Sequence, residues 1–183
     1  MIKNKSLLLI MLLSFSSCSN FISRIEGANQ NKKFKNVEIY FDYVINSLHI
    51  PKEKLIILND FSFQEFQKEI IENKLAMYYA IFDKESYVSC NKLEDKSCSG
   101  QVINLYHQFN KKIIDTMKID NDKLTLISKF NLDSSKKTLI FIYSYKLGKL
   151  VNSKIVSVIN ELIHEKDFDY RIISIDNYDI FKN

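Results

Sequence analysis

From residue 36 onward the apolar positions fall into alternating helix-like and strand-like runs. Val37, Tyr40, Phe41, Val44, Ile45 and Leu48 recur every three or four residues behind Asn36, which predicts a capped helix. His49-Ile50-Pro51 ends it, because the residue before a proline is pushed away from the α region. Residues 55–58 read as a short buried strand, and Asn59-Asp60 as a turn. Ser62-Phe63-Gln64-Glu65 has capping-box form, and Phe63, Phe66, Ile70 and Ile71 follow on one face, so a helix is predicted over 62–73. The run 75–82 is apolar on both faces, which suits a central strand covered on both sides.

Residues 83–100 form a long polar stretch containing Cys90 and Cys98. Helical spacing returns with Val102, Tyr106, Phe109, Ile113 and Met117. Leu124, Leu126 and Phe130 alternate with Thr125 and Lys129, which predicts a strand, and 131–137 turns the chain. Leu139, Phe141, Tyr143, Tyr145 and Leu147 then alternate with polar neighbours in a longer strand ending near Gly148. These two strands are close enough for a hairpin. Ile155, Ile159, Leu162 and Ile163 mark a helix capped by Asn152 or Ser153, and 170–176 is a last strand. The order α-β-α-β-α-β-β-α-β predicts one α/β domain over 36–183, with a mixed sheet flanked by about four helices.

The segment before this domain differs in character. Lys3 and Lys5 precede an apolar stretch over 7–15, followed by Ser16-Ser17-Cys18. A basic start, a short apolar core and small residues at its exit form the signal-peptide pattern. A membrane-spanning helix needs about 20 apolar residues, so the stretch is expected to be an export signal. Phe15-Ser16-Ser17-Cys18 resembles a bacterial lipobox, in which cleavage falls just before the cysteine and the new N-terminal Cys is acylated. Ser16 and Ser17 match that pattern; Phe15 departs from it, since Leu is the usual occupant. The relaxed form, with a Lys/Asn/Ile-rich composition, resembles the lipoproteins of spirochaetes of the Borrelia type. The resemblance covers residues 1–20 and the overall composition. It implies a signal peptide over 1–17, lipidation at Cys18, a polar tether over 18–35, and an exported protein held at the outer membrane, on its surface or periplasmic face. Stable anchoring takes more than one acyl chain, and a lipobox cysteine receives a diacylglyceryl group and usually an amide-linked chain.

Composition adds little about ligands. Lys, Asn and Ile dominate the 183 residues while Ala, Gly and Pro are scarce, a bias that fits A+T-rich coding DNA. The net charge is +4, and loss of Lys3 and Lys5 with the signal segment lowers it to about +2. That argues against nucleic-acid binding, which needs a concentrated basic face. The basic cluster Lys32, Lys33 and Lys35 reads as part of a solvated tether or as a contact for anionic headgroups.

If Cys18 is lipidated, Cys90 and Cys98 remain as an even pair in an exported protein, and a disulfide between them is the expected reading, with two free thiols as the competing one. A strand, a Cys-bearing loop, a helix, a hairpin and a final helix also resemble the thioredoxin-like arrangement. Cys98-Ser99-Gly100-Gln101 lacks that family's second cysteine, and Lys136-Lys137-Thr138 stands where its proline is expected. His49, His107 and His164 are far apart, and Asp120 and Asp122 begin a calcium-loop pattern that Thr125 and Asn131 break. With three glycines there is no phosphate-cradling loop, and no Gly-x-Ser-x-Gly occurs. No catalytic, cofactor-binding or metal site is therefore expected. Tyr78, Tyr79, Tyr87, Tyr143, Tyr145 and Tyr170 read either as strand core or as an exposed aromatic patch for a partner. The leading expectation is a lipid-anchored binding or interaction module for a protein or host ligand. The alternatives are a periplasm-facing accessory lipoprotein of an envelope assembly or transport system, and a thioredoxin-like thiol protein.

Overall fold

The computed structural model describes residues 32–58 and 60–176. They form one α/β domain built on a six-stranded mixed sheet. The elements are α1 (Val37–Leu48), β1 (Leu55–Ile57), α2 (Asp60–Glu72), β2 (Tyr78–Phe82), β3 (Ser86–Ser89), α3 (Ser99–Asn110), β4 (Met117–Lys118), α4 (Asn121–Ile127), β5 (Lys137–Tyr143), α5 (Gly148–Leu162) and β6 (Phe168–Ser174). Across the sheet the strands run β1-β6-β5-β2-β3-β4. β1, β6 and β5 are parallel; β2, β3 and β4 continue the sheet antiparallel.

Every residue of β2 and β6, and all of β5 after Lys137, is buried. Such unbroken burial requires cover on both faces. Alternation along the strands assigns the layers. Tyr106 of α3 meets Phe168 edge-on, and Tyr40 of α1 reaches Ser174, so these helices lie on the face shared by Phe168, Tyr170, Ile172 and Ser174. α5 packs beside both. The opposite face carries α2 and α4, where Phe66 and Phe130 meet Tyr79. A bulge in β2 makes this possible. Tyr78 pairs with Phe141 but Ile81 with Leu139, so β2 holds one extra residue and Tyr79 and Phe82 turn to the same side.

Local chemistry fixes the element ends. Asn36 accepts the Ile39 N–H at 3.0 Å, and α1 ends at His49 in the left-handed region, two residues before Pro51. α2 starts two residues earlier than its capping-box pattern predicts, which leaves Ser62 buried inside the first turn. Gly148, at φ 79°, lets the chain swing from β5 into α5 where a side chain would be strained. Packing begins before Asn36: Phe34 is buried against Tyr40, Tyr43 and Tyr145, and Lys32 donates to the Tyr43 hydroxyl at 3.1 Å.

Two expectations are corrected. Residues 121–130 are α4 and a 3-10 turn, not a strand. Asp120 caps this helix by accepting the Lys123 N–H at 2.8 Å, and Leu126, Ile127 and Phe130 reach inward at helical spacing. The antiparallel part of the sheet comes instead from β3 and β4, inside and just after the stretch read as polar loop. With 121–130 helical, the hairpin on which the thioredoxin-like alternative depended is absent.

Candidate functional site

The largest described cavity lies where the β2–β3 turn, the end of α3, β4 and the start of β5 meet. It is a cleft of about 750 Å³ lined by Lys84, Lys112, Lys118, Lys136 and Lys137, with Asp83 and Glu85 as its only carboxylates. A pocket of about 260 Å³ adjoins it against α4 and shares Asp83, Lys84, Ser134 and Lys136 with it.

Topology brings these lysines together. Asp83 builds the β2–β3 turn by accepting the Glu85 and Ser86 N–H groups at 2.9 and 2.7 Å, and Lys84 stands exposed on the turn. β4 pairs Lys118 with Ser86. Phe82 pairs with Thr138, which sets Lys136 and Lys137 beside the same turn. Lys112 follows α3 in the left-handed region. Lys137 lies 3.9 Å from Asp167. Lys84, Lys112, Lys118 and Lys136 are exposed and form no ion pair or side-chain hydrogen bond among the described residues. Five lysines against two carboxylates leave the lining with an excess of positive charge, which draws anions.

Lys123 and Asp169, by contrast, are matched internally. Lys123 reaches Glu69 and the Tyr79 hydroxyl (2.9 Å), and its ammonium lies over the Tyr79 and Tyr87 rings. Burial, with the Glu69 charge beside it, pushes the Tyr79 phenol far above its ordinary range. Asp169 sits between Lys54 and Arg171, whose guanidinium also donates to the Asn131 carbonyl. Burial works to raise the Asp169 carboxyl, but hydrogen bonds from Lys54 and the Tyr170 N–H and the Arg171 charge outweigh it and hold it below its usual range.

At the other end of the sheet, Asp176 accepts from the Tyr40 hydroxyl (2.6 Å), the Tyr145 N–H (2.8 Å) and the Ser144 hydroxyl. Tyr40 also lies 2.5 Å from Ser174 Oγ. Burial and the Asp176 charge push the Tyr40 phenol far upward. These groups are buried and mutually paired, so the cluster joins α1, β5 and β6 and offers no open site.

The residues singled out in the sequence are scattered. Cys18, the signal segment and the tether up to residue 31 lie outside the described residues. Cys90 and Cys98 are free thiols in the structure. Cys90 is fully buried after β3, and burial pushes its thiol well above the ordinary range. Cys98 is half-buried at the N-cap of α3, without a side-chain capping bond. The tyrosines make no surface patch: Tyr78, Tyr79, Tyr143, Tyr145 and Tyr170 are core and Tyr87 is half-buried. His49 closes α1, His107 lies 3.9 Å from Glu165, and His164 is exposed beyond α5. Among the described residues no three His, Cys, Asp or Glu converge as a metal site, and no helix is long and apolar enough to cross a membrane. The four unpaired lysines were missed in the sequence because they come from four separate segments. Comparison with protein-family models, curated proteins and solved structures finds no match to this chain.

Proposed function

We propose that this chain is an exported, lipid-anchored binding module whose lysine-flanked cleft receives an acidic segment of a partner protein. The convergence of Lys84, Lys112, Lys118 and Lys136, none of them in an ion pair among the described residues, in a cleft with two carboxylates carries this reading. The groove is open and flanked by the hydroxyls of Thr116 and Ser134, which suit an extended carboxylate-bearing chain. Cys18 supplies the anchor in this reading, as the lipobox-like Phe15-Ser16-Ser17-Cys18 supports.

The test measures retention of the full chain on an immobilised glutamate-rich peptide and on anionic phospholipid vesicles across a salt series. Binding to the peptide that falls with salt and is lost in Lys112→Glu/Lys118→Glu supports the reading. Equal binding by that variant, or retention on vesicles alone, overturns it. Palmitate labelling abolished by Cys18→Ala supports the anchor, and labelling that persists refutes it. Protease sensitivity on intact cells supports surface display; full protection favours the periplasm-facing accessory role.

A further inference from the structure

We infer that the smaller pocket beside α4 is a separate binding site for a small carboxylate with a compact apolar body of about five to seven carbons. Phe82, Ile119, Leu124, Ile127 and Leu132 give it apolar walls. Leu124 is 54% exposed although it faces this hollow, so the apolar lining is open to solvent at one side. Thr138 lies in the floor at 1% exposure, and its hydroxyl has no hydrogen-bond partner. A buried hydroxyl without a partner is uncommon and costs desolvation energy, so a polar group of a ligand bound here would relieve it.

Free hydrogen-bond donors select the class. Lys84 and Lys136 line the pocket without ion pairs. Its two carboxylates are already engaged in turns: Asp83 holds the Ser86 N–H and hydroxyl, and Asp133 holds the Ser135 N–H at 2.9 Å and hydroxyl at 2.6 Å. Both carboxylates keep their charge and offset the two lysines, but the charged groups left without a hydrogen-bond partner are the two ammoniums, so the pocket offers donors to an accepting head group. A cavity of about 260 Å³, at roughly 30 Å³ per small heavy-atom group, holds on the order of nine non-hydrogen atoms. A carboxylate head with a short alkyl or phenyl body fits that size and those donors. Pockets that are apolar with a few placed polar groups are the usual form of small-molecule sites.

The inference does not rest on the acidic partner, because Lys112 and Lys118 line only the larger cleft. The test is saturation-transfer NMR and equilibrium dialysis on the full chain carrying Cys18→Ser, with hexanoate and phenylacetate as probes. Hexanol serves as the uncharged control and inorganic phosphate as the anion without an apolar body. Saturable binding of either carboxylate is expected, weakened about tenfold in Lys84→Gln/Lys136→Gln and unchanged in Lys112→Gln/Lys118→Gln. Thr138→Val is expected to weaken binding severalfold while the chain stays folded, as far-UV circular dichroism would show. Hexanol binding as tightly as hexanoate, phosphate displacing it at equal concentration, or indifference to Lys84→Gln/Lys136→Gln would each overturn the proposal. Lost peptide retention with intact carboxylate binding would separate failure of the cleft reading from failure of this one.

Discussion

Asp176 is the residue on which the structure stakes most. Its carboxylate accepts from the Tyr145 N–H, the Ser144 hydroxyl and the Tyr40 hydroxyl, and it is 7% exposed. Asp176→Ala removes the acceptor for all three. Tyr40 retains Ser174 Oγ as a neighbour, so two donors, Tyr145 N–H and the Ser144 hydroxyl, lose this acceptor. At about 1–3 kcal/mol for each buried donor left without a partner, the cost is about 4 kcal/mol. With a urea slope of about 2 kcal/mol/M, the unfolding midpoint falls by about 2 M, read by far-UV circular dichroism. Tyr40→Phe is the internal comparison. It removes one donor and leaves Asp176 with two, so its expected cost is about 1 kcal/mol. If Asp176→Ala destabilises no more than Tyr40→Phe, the carboxylate is not the hub described here.

Asp169 gives a pH signature. Its folded carboxyl is held below the unfolded value of about 3.9, so its contribution is present above that pH and is lost as pH falls through the lower folded value. The urea midpoint of the parent chain should therefore fall between about pH 4 and 2 more steeply than that of Asp169→Asn; parallel curves would refute the assignment. The cysteines differ in reach: with native chain, a maleimide reagent should label Cys98 and spare Cys90 until urea is added. Native labelling of Cys90 would contradict its burial, and labelling of neither even after urea would indicate a disulfide.

What the sequence made legible follows from signal length. α1, α2, α3 and α5 carry several turns of apolar repeat, and β1, β2, β5 and β6 are unbroken apolar or alternating runs. Residues 121–130 were misread because Leu124-Thr125-Leu126 alternates over three positions. Asp120, read as a broken calcium loop, was the capping signal that pointed to a helix. β3 and β4 sit at one edge, and Ser86-Tyr87-Val88-Ser89 offers too little apolar pattern to stand out. The lysine cleft had no local signature. Lys84 and Lys136 become neighbours through the pairing of Phe82 with Thr138, a relation that exists only once the sheet has formed.

The position of β6 has a consequence for how the chain is made. Among the described residues it is the last strand in the chain, yet it sits inside the sheet and holds β1, the first of them, through Leu55 opposite Ile172. Tyr40 likewise waits for Ser174, 134 residues later. Closing so long a loop makes folding slow, and until it closes β1 and α1 have no lasting place on the sheet. A ribosome-bound or truncated chain that stops before residue 168 leaves β1 and β5 with bare edges facing each other across a missing strand. The fold is thus keyed shut by β6, and a nascent chain remains open to chaperones and proteases until that strand has emerged.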